Sequence, residues 1–212
     1  MKAAIALADA EGIGAVTLRS VAHRTGRPIA SIQRTFTSRD RLLAEMTQHV
    51  YSRRTQRPSD PTRPAETLIH LAQAEWDGYR AHPWLVTVLA STRPPLTPTV
   101  LDTAREYVDA FIALETDPAL ALGRYLALNA YVQGMALLLV AEQQERTRAP
   151  KSAQTWWTDE IDRLKRTGAP SHAIWIAEVG TGEVPESADI ERWFQDGLTR
   201  IIAGLIDEDA NG

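Results

Sequence analysis

The fold is decided by residues 17–36, which read Thr17-Leu-Arg-Ser-Val-Ala-His-Arg-Thr-Gly-Arg-Pro-Ile-Ala-Ser-Ile-Gln-Arg-Thr-Phe36. Thr17 is of a residue type that caps helices, and the apolar residues behind it fall at helical spacing on one face. Gly26 suits the positive φ that commonly follows the last turn of a helix. Pro28 suits the first turn of a new helix, because its φ is fixed and it has no N–H to satisfy. The stretch therefore predicts two short helices joined by a tight turn, a helix-turn-helix.

The second of these helices is predicted to have a polar outer face. Ile29, Ile32 and Phe36 stand at i, i+3 and i+7 and are expected to pack inward. The remaining positions are small, hydroxylated, amide or cationic: Ala30, Ser31, Gln33, Arg34 and Thr35. Arginine and hydroxyl groups bind phosphates, and amides and arginine also bind base edges in the major groove. This face suits DNA, although two short helices and a glycine turn also occur in helical proteins that bind none.

The charge distribution favours the DNA interpretation. Residues 1–57 contain ten Lys or Arg against four acids, a net charge of +6, whereas the 212-residue chain carries −4 and the remainder therefore −10. A basic segment attached to an acidic body is typical of a module that binds a polyanion. The border is predicted at residues 58–64, where three prolines fall within seven residues. This division gives a DNA-binding domain with its connecting helix at residues 1–57 and a second domain at residues 58–212.

Residues 11–43 resemble the DNA-binding domain of the TetR family of bacterial transcriptional regulators. The resemblance rests on an acidic residue and glycine after the first helix, the threonine cap, an Ala-x-x-x-Gly in the second helix, the closing Phe36, and Ser38-Arg-Asp-x-Leu-Leu43. It implies that residues 29–35 enter the major groove and that Arg39 holds a phosphate. The residues assigned to DNA contact are Thr17, Arg27, Pro28, Ile29, Ala30, Ser31, Gln33, Arg34, Thr35 and Arg39.

Two departures from the family pattern affect this expectation. The family usually has a tyrosine that touches the DNA backbone where this chain has Gln33, which can hydrogen-bond but has no aromatic surface. The family also usually has a basic arm before the first helix, whereas this sequence begins within that helix. A missing arm would remove phosphate contacts and weaken binding.

Beyond residue 64 the sequence predicts only helices. Helical spacing and proline or glycine boundaries place them at about residues 65–81, 83–90, 97–114, 118–148, 156–166 and 189–207. No strand-like alternation of any length occurs. The fold class is therefore predicted as all-α, with an N-terminal three-helix helix-turn-helix domain and a larger C-terminal helical domain.

The two long helices of the second domain are candidates for a homodimer interface. Apolar residues from Tyr125 to Leu139 recur at spacings of three and four, and Gly197 and Gly204 would allow close approach of another backbone. The pattern alone fits an intramolecular core equally well. Residues 192–206 resemble the last helix of tetracycline-repressor-type regulators, which implies a four-helix interface between two copies. The residues assigned to it are Val132, Met135, Leu139, Phe194, Gly197, Ile201, Gly204 and Leu205. A twofold dimer suits a palindromic operator in double-stranded DNA.

The second domain also has the composition of a small-molecule sensor. All six tryptophans lie after residue 75. Such aromatics most often fill a core, but a cavity lined by aromatics and a few polar groups also suits an apolar ligand. The ligand-binding candidates are Trp76, Tyr79, His82, Trp84, Arg93, Asn129, Tyr131, Gln133 and Trp175. The family resemblance implies that the segment from His82 to Pro95 borders the effector pocket. Leu89 stands where tetracycline repressors have a metal-binding histidine, so a magnesium-tetracycline ligand is not expected.

The sequence contains no pattern that indicates catalysis, a cofactor or a metal site. There are no cysteines, none of the five histidines has a metal-binding spacing, and no Gly-x-Ser-x-Gly occurs. Gly180-Thr-Gly182 lacks the third glycine of a dinucleotide site. No uninterrupted apolar run reaches the ~18 residues that span a bilayer, and the N-terminus has no signal-peptide pattern. These observations predict a cytoplasmic protein that is not an enzyme and has no membrane partner.

The sequence therefore predicts a ligand-responsive DNA-binding regulator. The resemblance implies a repressor that a small apolar or aromatic molecule releases from its operator. The alternative is a dimeric helical protein that binds small molecules and whose DNA-binding part is weak or non-functional for lack of an arm.

Overall fold

The computed structural model describes residues 1–53, 62–114, 116–148, 153–166 and 187–207. These residues form ten α-helices and no β-strand, so the predicted all-α fold with an N-terminal helix-turn-helix is confirmed. The helices are α1 (Lys2–Glu11), α2 (Leu18–Thr25), α3 (Ile29–Thr35), α4 (Arg39–Tyr51), α5 (Pro64–Ala81), α6 (Pro83–Leu89), α7 (Pro98–Ala113), α8 (Pro118–Arg148), α9 (Ala153–Arg166) and α10 (Ser187–Asp207).

The turn between α2 and α3 forms as the sequence predicts. The Thr17 hydroxyl accepts a hydrogen bond from the Ser20 backbone N–H at 3.0 Å, and the Ser20 hydroxyl accepts one from the Thr17 N–H at 2.9 Å. This reciprocal capping box satisfies two N–H groups that would otherwise lack partners at the start of α2. Gly26 follows α2 with a φ of +64°, in the left-handed region that glycine adopts without a Cβ clash. Pro28 then precedes α3.

We call residues 1–53, which contain α1 to α4, the head. Its core takes apolar residues from all four helices and the loop before α2: Ala4, Ile5, Leu7, Ala8, Val16, Val21, Ala22, Ile32, Leu42, Met46 and Val50. The predicted inward packing holds for Ile32. It is wrong for Ile29, which is 39% exposed because it begins the short α3 beyond the reach of this core.

Four of the later helices begin with proline at a position where its missing N–H costs nothing. These are α5 at Pro64, α6 at Pro83, α7 at Pro98 and α8 at Pro118. Their boundaries agree with the predicted ones to within a few residues. The core around them is aromatic and aliphatic, and its members include Leu68, Ala72, Trp76, Tyr79, Leu85, Val86, Tyr107, Phe111, Leu128 and Val132.

The chain divides into two compact units, residues 1–137 with 197–212, and residues 138–196. The first contains the head, α5 to α7 and most of α8. The second contains the end of α8, α9 and the start of α10, and in α9 the exposed Trp156 and Trp157 meet edge to face with ring centroids 5.0 Å apart. The domain border predicted at residues 58–64 falls mostly outside the described residues and stays a prediction.

Within the described residues, α8 is the single helix whose length and composition would allow it to cross a membrane. This is weak evidence, because core helices of soluble proteins pass the same test.

Candidate nucleic-acid interface and sensing core

The side chains on the outer face of α3 form few hydrogen bonds or ion pairs with the rest of the described chain. Ala30, Gln33 and Arg34 are exposed, and neither polar side chain forms a hydrogen bond or ion pair within the described part of the chain. The Thr35 hydroxyl donates to the Ser31 carbonyl at 3.1 Å. An amide and a guanidinium without internal partners are available to bind phosphates or base edges.

The cations of the head fall into two groups. Arg24 pairs with Glu11 at 3.0 Å, and Arg41 pairs with Glu45 at 2.7 Å. By contrast, the described structure gives no ion-pair partner to Lys2, Arg19, Arg27, Arg34 or Arg53. The unpaired group includes Arg27 and Arg34, two of the predicted DNA contacts.

Arg39 does not stand free as the sequence suggested. Its Nε donates to the Val16 carbonyl at 2.9 Å, and its Nη2 donates to the Ile13 carbonyl at 2.8 Å. The guanidinium therefore braces the first turn of α4 against the loop that precedes α2. Two of its five N–H donors therefore have backbone acceptors, and three remain; the predicted phosphate contact stays a prediction.

The predicted sensing residues have different surroundings. Trp76 and Tyr79 are fully buried on α5, whereas Arg93 is exposed between α6 and α7. Tyr131 and Gln133 are half-buried on α8. Trp175 lies outside the described residues.

Asn129, also on α8, has the most informative environment of the predicted sensing residues. Its Oδ1 is buried and accepts no hydrogen bond from the residues that the structure describes. A buried amide oxygen without a donor is costly, so this atom is a candidate acceptor for a bound ligand.

His82 and Trp84 belong to a contact between α6 and the head, which corrects their assignment to a ligand pocket. The indole Nε1 of Trp84 donates to Asp9 Oδ1 at 2.8 Å, and Nδ1 of His82 lies 2.9 Å from the same oxygen. Asp9 is on α1, so its carboxylate ties the first helix of the head to the start of α6. We call this cluster the Asp9 clasp. No local sequence pattern predicts this cluster, because Asp9 lies about 75 residues from its partners.

Two further polar contacts join the head to the rest of the first unit through α4. The Gln48 Oε1 accepts hydrogen bonds from the Thr99 N–H at 3.3 Å and from the Thr99 hydroxyl at 3.1 Å. The buried carboxylate of Glu75 accepts one bond from the Tyr51 hydroxyl and one from the Tyr107 hydroxyl, each at 3.2 Å. Glu75 thus connects α4, α5 and α7 at one point in the core.

The Glu75 carboxylate also affects a neighbouring tyrosine. The Tyr125 ring on α8 lies 5.2 Å from the Tyr107 ring, centroid to centroid. Burial, and secondarily the negative charge of Glu75, raise the pKa of Tyr125 to about 12. One feature of the sequence points to this cluster, namely that Glu75 stands at helical spacing among the apolar residues of α5.

The predicted interface residues are only partly accessible. Val132, Leu139 and Phe194 are buried within the single chain, so they are corrected to core positions. A Cβ on Gly197 would overlap the Tyr131 hydroxyl of the same chain, so this glycine accommodates the Tyr131 side chain rather than another subunit's backbone.

The other interface candidates keep accessible surface. Gly204 is exposed, and a Cβ built on it would meet no atom of another described segment within 4 Å. Met135, Ile201 and Leu205 are half-buried. The outer surface of α8 adds exposed leucines that were not predicted: Leu120, Leu122, Leu126, Leu137 and Leu138.

Comparisons with known proteins agree with this architecture. No protein-family model matches the sequence. The chain is 28% identical over 214 residues to the HTH-type transcriptional repressor DrrR1 of Streptomyces coeruleorubidus, covering 97% of this chain and 75% of that protein. Its structure is similar to apo ActR from Streptomyces coelicolor, with a TM-score of 0.76, 24% identity, and coverage of 97% and 91% of the two chains. It is also similar to SCO7222, a TetR from Streptomyces coelicolor, with a TM-score of 0.71, 22% identity, and coverage of 97% and 94%.

The head and the later helices define an all-α protein with an N-terminal helix-turn-helix. More particularly, the chain has the fold of the TetR family of transcriptional regulators, and the resemblance read from residues 11–43 is confirmed.

Proposed function

We propose that this protein is a DNA-binding repressor that a small molecule releases from its operator. The observation that carries the proposal is the outer face of α3, where Gln33 and Arg34 have no side-chain partner among the described residues and belong to a basic head. The similarity to a transcriptional repressor supports it. Such a protein works in the cytoplasm, where it meets DNA.

DNA binding is tested by comparing two arginines that differ in their partners. Arg34 is unpaired, whereas Arg24 is paired with Glu11. We expect Arg34→Ala to weaken binding to promoter DNA from the protein's own genomic neighbourhood. It should also lower the slope of log affinity against log salt by about 1, because one phosphate contact is lost. Arg24→Ala should change the slope less. The measurement is fluorescence anisotropy at several salt concentrations, and an unchanged slope and affinity would remove Arg34 from the interface.

The same titration separates the proposal from its rival, a small-molecule-binding dimer with an inactive head. Non-specific binding to DNA depends on phosphate contacts and strengthens steeply as salt is lowered. A wild-type protein that fails to shift its neighbouring promoter DNA even at low salt would favour the rival.

We further propose that the protein is a homodimer that reads a palindromic operator. The exposed leucines of α8 and the open surface at Gly204 are the apolar area that a second copy would cover. Because a Cβ on Gly204 would meet no atom within 4 Å among the described residues, Gly204→Leu should leave the fold intact and yield monomers in sedimentation velocity. A stable dimer of this variant would place the interface elsewhere.

The effector is proposed to be an apolar or aromatic molecule with a hydrogen-bond donor for Asn129 Oδ1. ActR, a structural neighbour at 24% identity and a TM-score of 0.73, has been solved in complex with actinorhodin, which makes that compound a suitable first probe. Binding beside the tryptophans should quench their fluorescence, and Asn129→Leu should weaken it by removing the acceptor.

Operator DNA should weaken effector binding by the same factor by which the effector weakens DNA binding. A probe whose affinity is equal with and without DNA is not the effector.

A further inference from the structure

We infer that the effector is an aromatic ketone with a hydroxyl group on the same edge as its carbonyl, and that Tyr125 and Asn129 of α8 bind these two groups. The inference deepens the proposed function and rests on it, because it names the chemical class of the effector. Tyr125 was not among the ligand-binding residues predicted from the sequence.

The helix α8 carries a row of three polar side chains at intervals of four residues: Tyr125, Asn129 and Gln133. Residues four apart share one face of a helix and are about 6 Å apart along its axis. All three side chains are half-buried, and none of them forms a hydrogen bond with another described residue. The row therefore combines partial burial with unused hydrogen-bonding groups.

The row lies on the inner border of α8 and not on its outer face. The exposed positions from residue 119 to residue 141 are all alanine, glycine or leucine, whereas a surface helix ordinarily has its polar residues outside. The first member of the row, Tyr125, lies beside the Tyr107 ring of α7. Tyr131, which contacts Gly197 of α10, is two residues from each of the other members and therefore on roughly the opposite side of α8. The row thus begins beside α7 and lies away from α10.

Asn129 requires a ligand that brings a hydrogen-bond donor. Its Oδ1 is buried and accepts no hydrogen bond from the described residues, which is costly. The side chain as a whole is only half-buried, so the amide can turn about its χ2 bond and bring the oxygen to the accessible side. A ligand hydroxyl that donates to this oxygen removes the cost. A ligand without a donor leaves it in place.

Tyr125 requires a neutral acceptor at the next position along the row. Burial, and secondarily the negative charge of Glu75, raise the pKa of Tyr125 to about 12, so its hydroxyl remains a donor at neutral pH. The Glu75 carboxylate accepts its hydrogen bonds from the Tyr51 and Tyr107 hydroxyls. Its charge also disfavours a ligand carboxylate nearby, whereas an uncharged carbonyl is not repelled. The rings of Tyr107 and Tyr125 favour an aromatic ligand.

The test uses two isomers that differ only in the position of one hydroxyl group. In 2-hydroxy-9-fluorenone the hydroxyl and the carbonyl are on the same long edge, and in 3-hydroxy-9-fluorenone they are on opposite edges. Isothermal titration calorimetry with the full-length protein compares both isomers with 9-fluorenone, which has no hydroxyl. The 2-hydroxy isomer should bind more tightly than either by roughly 2- to 12-fold, the ratio that one hydrogen bond gives. Equal affinity of the two isomers, or binding of neither, would overturn the inference.

Variants of the row assign each group of the probe to its partner. Asn129→Leu should abolish the advantage of 2-hydroxy-9-fluorenone over 9-fluorenone, and Tyr125→Phe should abolish its advantage over the 3-hydroxy isomer. Gln133→Leu is the matched control, because it removes another amide of the row that a probe bound at the first two positions does not reach. Loss of the isomer preference in Gln133→Leu but not in Tyr125→Phe would overturn the assignment of the carbonyl.

Thermal melting separates ligand binding by Asn129 from a structural role. Because its buried oxygen has no donor among the described residues, Asn129→Leu should not lower the melting temperature. A lower melting temperature would show that the chain itself satisfies this amide, and would overturn the inference. If the wild type binds DNA at low salt but does not distinguish the isomers, the inference fails while the proposed function stands. If it binds no DNA, the proposed function fails and the inference about its effector fails with it.

Discussion

The Asp9 clasp should make a measurable contribution to stability. Asp9→Ala removes the acceptor of the Trp84 indole N–H, and Trp84 is only 3% exposed. Leaving a buried donor unsatisfied costs about 1–3 kcal/mol. His82 adds less, because its side chain is 27% exposed and can turn to water. For a chain of this length, each kcal/mol lowers the melting temperature by about 2–4 °C.

The assay is thermal and urea unfolding of a double-mutant cycle between Asp9→Ala and Trp84→Phe. The phenylalanine variant keeps one aromatic ring but loses the five-membered ring together with its N–H group. The cycle subtracts this packing loss, because it is present both with and without Asp9. If the hydrogen bond carries the effect, the second substitution should cost little once the first is present, with a coupling energy of about 0.5–3 kcal/mol.

A charge-matched control separates the clasp from simple loss of an acid. Asp102→Ala also removes one carboxylate, but Asp102 is exposed on α7 and has no partner in the described structure. It should change stability by less than about 0.5 kcal/mol. If Asp9→Ala is equally harmless, or if the two clasp variants are additive, the reasoning about the clasp is refuted.

Three further predictions follow from single contacts. Arg39→Ala should lower the unfolding free energy by about 1–3 kcal/mol and leave the salt slope of DNA binding nearly unchanged. Unchanged stability with a lower salt slope would instead show that Arg39 contacts a phosphate. Gly197→Ala should displace the Tyr131 ring and be less stable by about 1–3 kcal/mol than Gly123→Ala, which meets no atom within 4 Å; equal urea midpoints would contradict this. Because the pKa of Tyr125 is raised from 10.0 to about 12, the unfolded chain loses this proton first, so stability should fall as pH rises from about 10 to 12. The urea midpoints at pH 9 and pH 11 should differ less in Tyr125→Phe than in wild type. An equal difference in both proteins would exclude Tyr125 as the cause of the loss of stability at high pH.

The parts of the fold that depend on neighbours in sequence were predictable. The Thr17 cap, the Gly26 turn and the proline starts of α5 to α8 are local signals, because each arises from hydrogen bonds or φ angles within a few residues. Helical spacing likewise predicted that Ile32 is buried. The exposure of Ile29 was mispredicted, because spacing shows which residues share a face but not where the core beneath that face ends.

The surroundings of the candidate site residues depend on contacts between residues that are distant in sequence. Such contacts leave no periodic pattern in the sequence. Arg39 was assigned to DNA because its acceptors, Val16 and Ile13, lie 23 and 26 residues away. Trp84 was assigned to a ligand for the same reason, since nothing near it points to Asp9. An aromatic or cationic side chain has the same appearance in sequence whether it meets a ligand, DNA or its own chain.

The sparse internal contacts of the outer face of α3 also bear on how such a protein can diverge. Ala30, Gln33 and Arg34 are exposed, and their side chains add little to the core that holds the head together. Substitutions there should change stability by less than about 0.5 kcal/mol. A gene duplicate could therefore acquire a new operator through one or two changes on α3 while its folding and its effector response stay intact. The same property makes these three positions the natural place to randomise when the protein is engineered as a sensor with its own orthogonal promoter.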